Sequence, residues 1–140
     1  MKNSKIYSVY TDGAYSSLRD QGGIGIVILK GDKSILEYSN MYKRTSNNQM
    51  ELGAIIIALR MIKESIDSLK IYTDSQYCIG CATKGWKRKK NIPLWNEFDK
   101  ELNRVKSLCG DIQFIHIKGH SGSKYNEIVD KLAVKASQQI

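Results

Sequence analysis

Four acidic residues stand where acids serve folding poorly. Asp12 follows the apolar run Ile6-Tyr7-Ser8-Val9-Tyr10 and precedes Gly13, and Asp74 closes a second run at Ile71-Tyr72-Thr73. Glu51 sits among Met50, Leu52, Ala54 and Ile55, and Asp130 is flanked by Ile128, Val129 and Leu132. Singly, each has an ordinary reading: Asp12 and Asp74 as turn or cap residues, Glu51 as a first-turn partner of a helix dipole, Asp130 as a solvated helix position. Together, those readings leave the apolar neighbours unexplained. Carboxylates gathered in one place repel one another and resist ionising unless a cation neutralises them. Oxygen-only ligand sets select hard cations, Mg²⁺ first. Two such ions, roughly 3.5–4 Å apart, activate a water and stabilise the leaving oxygen of a phosphodiester in an in-line displacement. His120, between Gly119 and Ser121-Gly122 in a flexible loop, adds an imidazole that can accept or deliver a proton. His116 alternates within a strand and reads as structural.

These residues need a scaffold that brings them together. Lys5 to Thr11 is predicted to be a first strand, rich in Ile, Val and Tyr and ending at Thr11-Asp12-Gly13. Glycines 22, 23 and 25 open a second strand, Ile24 to Leu29, and a turn at Lys30-Gly31-Asp32-Lys33 leads to a third, Ile35 to Tyr42. Asn47-Asn48 offers an N-cap to a helix from Met50 to Lys63, too long and too evenly apolar for a strand. A short strand, Leu69 to Thr73, precedes a helix from Ser75 to about Thr83. A basic loop follows, and Pro93 marks the first turn of a helix to about Lys106. A fifth strand spans Asp111 to Ile117, and a last helix runs from about Tyr125 to Gln138, with Ile128, Leu132 and Ala136 on one face. The order β-β-β-α-β-α-α-β-α predicts an α/β fold: one mixed five-stranded sheet, three strands antiparallel and two added in parallel by right-handed crossovers, with helices on both faces. Strand ends and nearby helix starts are where sites assemble in such sheets.

The chain of 140 residues suits a single domain over 1–140. Its net charge of +8 raises the odds of a polyanionic partner. No secretory segment or membrane-length apolar run is visible, and the three cysteines form no disulfide framework, so a cytoplasmic setting is expected. Cys78-x-x-Cys81 with His116 and His120 would set the pairs 35 positions apart, against about 12–15 in a compact zinc finger, and its helical segment reads Cys as a small apolar residue.

Four segments in order carry a resemblance: Tyr10-Thr11-Asp12-Gly13, Arg44-Thr45-Ser46-Asn47-Asn48-Gln49-Met50-Glu51-Leu52, Tyr72-Thr73-Asp74-Ser75-Gln76-Tyr77, and Lys118-Gly119-His120-Ser121-Gly122 followed by Asn126-Glu127 and Asp130. Across almost its whole length the chain resembles the type 1 ribonuclease H family. The resemblance implies the ribonuclease H-like fold and an endonuclease that cuts the RNA strand of an RNA–DNA hybrid, leaving 3′-hydroxyl and 5′-phosphate ends. It implies two Mg²⁺ ions, with Mn²⁺ as a substitute, held by Asp12, Glu51, Asp74 and Asp130. His120 matches the loop histidine that assists proton transfer or product release. Gly13 belongs to the substrate-binding set. Asn47, Asn48 and Gln76 match residues that read the minor groove, where RNA displays its 2′-hydroxyls. Glu51 also matches an acid that touches a 2′-hydroxyl beside the cut. Arg44, Ser46 and Asn91 match a pocket for a DNA phosphate, and Trp86 an aromatic in the DNA channel.

Two segments depart from the pattern. Leu18-Arg19-Asp20 stands where many members have Asn-Pro-Gly. The basic handle is compressed to Lys84-Gly85-Trp86-Lys87-Arg88-Lys89-Lys90, five of whose seven residues are cationic and suited to backbone contacts. An exposed Trp86 among them favours nucleic acid over a merely solvated face. A monomer is the default, without a membrane partner. Two other functions remain open on the residues alone: a resolvase- or integrase-type DNA nuclease on the same fold, and a non-catalytic hybrid-binding module.

Overall fold

The structure, a computed structural model, describes residues 5–119 and 122–140. Its elements are β1 (Ile6–Ser16), β2 (Gln21–Lys30), β3 (Lys33–Lys43), α1 (Asn47–Arg60), β4 (Ile66–Thr73), α2 (Gln76–Thr83), α3 (Ile92–Lys106), β5 (Cys109–His116) and α4 (Lys124–Ser137). The sheet order is β3-β2-β1-β4-β5. The first three strands are antiparallel, and β4 and β5 join in parallel, as expected. The β2–β3 hairpin turns on Gly31 at a φ of 63°, a conformation that costs glycine little.

The alternation along β2 divides the core. Ile24, Ile26 and Ile28 pack with Leu52, Ile55 and Leu59 of α1 and with Trp95 and Phe98 of α3. Val27 and Leu29 point the other way, onto Val129 of α4. Helix α1 buries Met50, Leu52, Ala54, Ile55, Ile56, Ala58 and Leu59, which accounts for its even apolarity. On α4 the deepest apolar residues are Val129, Ala133 and Ala136, with Ile128 and Leu132 at the margin.

Several strands run longer than expected, β2 opening at Gln21 and β4 at Ile66, and three further boundaries differ. β1 does not end at Thr11-Asp12-Gly13 but runs on to Ser16, because β2 continues to pair with it as far as Ser16↔Gln21. The N-cap of α1 is Ser46, not Asn47-Asn48: its backbone is extended and its hydroxyl accepts from the Gln49 N–H. The helix stops at Arg60, three residues short of Lys63.

The glycines of β2 set how closely α4 docks. A Cβ on Gly25 would stand 2.4 Å from the Val129 carbonyl oxygen, and one on Gly23 would stand 2.2 Å from that of Ala133. Both obstacles are backbone, so neither can swing aside. Gly25→Ala is expected to destabilise the protein by about 1–3 kcal/mol. Cleavage should fall with it, since the displaced Val129 adjoins Asp130. Denaturant melts and activity of the same preparation check this.

Candidate metal centre and nucleic-acid interface

The parallel ladder between β1 and β4 ends at Tyr10↔Tyr72, two residues before each of the strand aspartates. Beyond that pair the two strands have different fates. Asp12 remains in β1, opposite Gly25 of β2, and is 4% exposed. Asp74 leaves β4 just after Thr73. Glu51 arrives on α1, whose backbone crosses Gly13 so closely that a Cβ there would lie 2.3 Å from the Glu51 nitrogen. Glycine at 13 is what lets the helix bring Glu51 to the strand. One carboxylate oxygen each from Asp12, Glu51 and Asp74 lies within 4.8 Å of the others. Asp130, half-buried on α4, stands outside that tight triad but near enough for its charge to act on Asp12 and Asp74.

Burial, more than any neighbour, disfavours the charged state at all three triad positions. The Asp12 pKa is pushed up to about 9, first by burial and then by the charge of Asp74, against a lowering by the Gly13 N–H, which donates to Asp12 Oδ1 at 2.9 Å. Burial also raises Glu51, opposed by hydrogen bonds from Ser75 and Asn47, the latter at 3.1 Å. Asp74 is raised by burial and by Asp130, opposed by a hydrogen bond shared with Asp12 and by its neighbour His116. Among the described residues, none of the salt bridges involves these four acids. A donor set of oxygens alone, crowded and without a cationic side chain in an ion pair, fits a divalent hard cation. It is the one group of three or more such ligands among the described residues, and the Cys-x-x-Cys pair is not in it: Cys78 and Cys81 are buried in α2.

Two of the three residues expected at a phosphate pocket, Ser46 and Asn91, lie along one polar chain. Ser46 caps α1 by accepting from the Gln49 N–H at 3.2 Å, and Gln49 Nε2 donates to Asn91 Oδ1 at 3.2 Å. Asn91 Nδ2 and Trp95 Nε1 both donate to the Tyr77 hydroxyl, at 3.1 and 2.9 Å. Asn91 holds a left-handed φ of 60°, and its side chain faces Gln49 and Tyr77 rather than capping α3. Arg44, two residues before Ser46, is exposed with a φ of 53°, and its N–H donates to the Asp20 carbonyl at 3.1 Å. The Leu18-Arg19-Asp20 departure thus forms the turn that braces Arg44, with Asp20 also accepting from the Tyr15 hydroxyl. Leu18 is almost wholly exposed. Gln49, Tyr77 and Asp20 were missed as site residues, although the first two lie inside the quoted segments.

Asn48 and Gln76 are exposed, while Asn47 is exposed and already bonded to Glu51. Trp86 is 49% exposed, its ring laid flat on Gly80, where a Cβ would meet the indole at 2.0 Å. Gly80→Ala should lift the indole and weaken hybrid binding in a filter assay by about 1 kcal/mol, the lower end of a base–aromatic contact. The basic loop needs one correction. Arg88 is not free for phosphates, since both Asp99 oxygens accept from its Nη1, at 2.9 and 2.7 Å, and its guanidinium lies 4.4 Å from the Trp95 ring centre. Lys84, Lys87, Lys89 and Lys90 remain exposed. His116, read as structural, is exposed at the end of β5 and lines a cavity of about 200 Å³ with Gln76, Ile79, Lys84 and Trp86. His120 lies outside the described residues. Gly119 before it passes Asp74, 3.3 Å from Oδ2 to a would-be Cβ.

A family model described as RNase H matches residues 4–138. The chain is 42% identical over 142 residues to a "Ribonuclease H" of Trichodesmium erythraeum, covering 95% of this chain and 89% of that one. It is 39% identical to a "Ribonuclease HI" of Synechocystis, covering 94% and 87%. In three dimensions it resembles RNase H1 of the archaeon Halobacterium salinarum, with a TM-score of 0.75 at 24% identity over 94% of this chain and 96% of that one. The N-terminal RNase H domain of a Mycobacterium tuberculosis protein gives a TM-score of 0.78 at 19% identity, covering 96% and 94%. These two likenesses bear on the fold alone. No helix among the described residues is long and apolar enough to cross a membrane.

Proposed function

The chain belongs to the ribonuclease H family, and from that premise we propose how its residues divide the work of cutting RNA. It is a hydrolytic nuclease for the RNA strand of RNA–DNA hybrids. The observation that carries the residue assignment is the triad of buried Asp12 and half-buried Glu51 and Asp74, with oxygens within 4.8 Å of one another and, among the described residues, no cationic side chain in an ion pair with them. These three, with Asp130, would hold two Mg²⁺ ions. When bound, the ions supply the charge that stabilises the phosphodiester's transition state and prepares a water for attack.

Every other task falls to the chain. The Gly13 N–H holds the Asp12 carboxylate, and Ser75 and Asn47 hold that of Glu51. Asn48 and Gln76, exposed beside the acids, suit contact with the minor groove, where 2′-hydroxyls distinguish RNA from DNA. Asn47 must share itself between Glu51 and the groove. The Arg44 guanidinium, with Ser46 and Asn91 linked through Gln49, suits a phosphate of the DNA strand. Trp86 offers its outer face to a sugar or base. His120 serves as the proton carrier. The chain acts as one catalytic unit and as a monomer. Its three free thiols suit a reducing, cytoplasmic setting.

A substrate panel tests this division. At fixed Mg²⁺, an RNA–DNA hybrid should be cut in its RNA strand only, leaving 3′-hydroxyl and 5′-phosphate ends, and an all-DNA duplex should be left intact. Cutting of the all-DNA duplex at a comparable rate would replace the assignment with a DNA nuclease. Separately, Lys87→Ala with Lys89→Ala should weaken hybrid binding at low salt and lower the slope of log affinity against log salt by up to about 2, whereas Arg88→Ala should chiefly lower Tm.

A further inference from the structure

Three tyrosines meet on the segments that lead to three of the carboxylates. Tyr10 is two residues before Asp12 on β1, Tyr72 two before Asp74 on β4, and Tyr125 five before Asp130 on α4. The Tyr10 and Tyr72 rings are stacked, with centroids 4.5 Å apart and planes 7° from parallel. Tyr125 meets Tyr10 at 5.4 Å and 39°. The ring separation is close to the spacing of neighbouring strands, about 4.8 Å, so the two rings stand side by side on paired residues.

The place of this stack matters more than its area. Tyr10↔Tyr72 is the last rung of the β1–β4 ladder, so past it no ladder fixes the distance between the strand carrying Asp12 and the chain carrying Asp74. At this level the Thr11 hydroxyl donates to the Tyr72 carbonyl at 3.4 Å, and beyond it Asp12 and Asp74 share a hydrogen bond. On the same face, Tyr125 joins the first turn of α4 to Tyr10 and so ties Asp130's helix to the pair.

We infer that Tyr10, Tyr72 and Tyr125 are positioning residues that hold the segments leading to Asp12, Asp74 and Asp130 in place before any metal arrives. This rests on the metal-centre reading above. An aliphatic side chain would fill the same space without the directional preference of an aromatic pair, which corresponds to a factor of about 3–10 in an equilibrium constant. Tyr72→Leu keeps apolar bulk and removes the stack; Tyr72→Phe keeps the stack and removes the hydroxyl.

The test is calorimetric titration of Mg²⁺ into metal-free protein, with near-ultraviolet circular dichroism to follow the tyrosines and Tm in chelator to certify folding. Tyr72→Leu should bind Mg²⁺ about 3–10 times more weakly than the parent, while its KM for hybrid at saturating Mg²⁺ stays within about twofold. Tyr72→Phe should restore parent affinity, and Tyr125→Leu should show a smaller loss than Tyr72→Leu. Parent-like Mg²⁺ affinity in a folded Tyr72→Leu protein would overturn the inference, as would a Tyr72→Phe protein as weak as Tyr72→Leu. If Asp12→Asn loses Mg²⁺ in the same titration while Tyr72→Leu keeps it, the inference falls and the metal centre stands. If the parent takes up no Mg²⁺, the metal centre itself falls.

Discussion

Asp12→Asn and Asp74→Asn should each lower cleavage of the RNA strand by a factor on the order of 10³ or more, with hybrid affinity within about threefold of the parent. The substitution is close to isosteric. At position 12 the amide oxygen still accepts from the Gly13 N–H, so the local backbone has no reason to move. What is lost is a negative charge and an anionic ligand in a triad whose oxygens lie within 4.8 Å of each other. Affinity survives because it rests on other groups: the exposed lysines of the loop, Arg44 and the face of Trp86. Asp130→Asn should cost less, because Asp130 stands outside the triad and acts on it at longer range. Single-turnover cleavage and filter binding on the same duplex separate the two quantities. A parent rate in either triad variant would contradict the assignment.

The second large effect is on stability, and it reverses with metal. In metal-free protein the Asp12 pKa stands at about 9, well above its unfolded value of about 3.9. The folded state therefore holds a proton that the unfolded chain releases in the window between. The stability tied to that proton is complete below about pH 4 and is lost as pH rises towards 9. Glu51 and Asp74 are raised as well, so they push in the same direction. In chelator, Asp12→Asn should thus be more stable than the parent at pH 8, by about 1–3 kcal/mol or roughly 5–10 °C in Tm, with the gap closing towards pH 4. Added Mg²⁺ should raise the Tm of the parent and leave that of Asp12→Asn nearly unchanged, because a ligand that binds only the folded, deprotonated site stabilises it by mass action. Scanning calorimetry at several pH values, with and without Mg²⁺, checks the sign at each step. A parent protein in chelator that grows more stable from pH 5 to pH 8 would contradict it.

Much of this molecule is legible along the chain because its signals are local. The alternation of β2, the evenly apolar run of α1 and the glycine turn at Gly31 each act within a few residues. Acids set among apolar neighbours mark Asp12, Glu51 and Asp74 for the same reason. The rest depends on contacts between distant segments. Thr11-Asp12-Gly13 reads as a strand end, and only the pairing of Ser16 with Gln21 carries β1 further. Arg88 reads as one cation among five until Asp99 and Trp95, on the next helix, take it up. Ser46 competes with Asn47 and Asn48 for one cap, and its hydroxyl takes the cap while Asn47 turns to Glu51. Asp130 shares the apolar setting of the triad, yet the distance that separates it is set by how α4 docks on Gly23 and Gly25. The tyrosine stack joins residues 10, 72 and 125, which no periodicity connects.

The most direct measurement is a titration of Mg²⁺ into metal-free protein mixed with an end-labelled RNA–DNA duplex, read for rate and for the strand and ends produced. The expected result is no cleavage in excess chelator, a rate that rises with Mg²⁺ and saturates, and cuts in the RNA strand alone with 5′-phosphate products, all absent with Asp12→Asn. Cleavage that persists in excess chelator, or that continues at the parent rate in Asp12→Asn, would contradict a metal centre built on Asp12, Glu51 and Asp74.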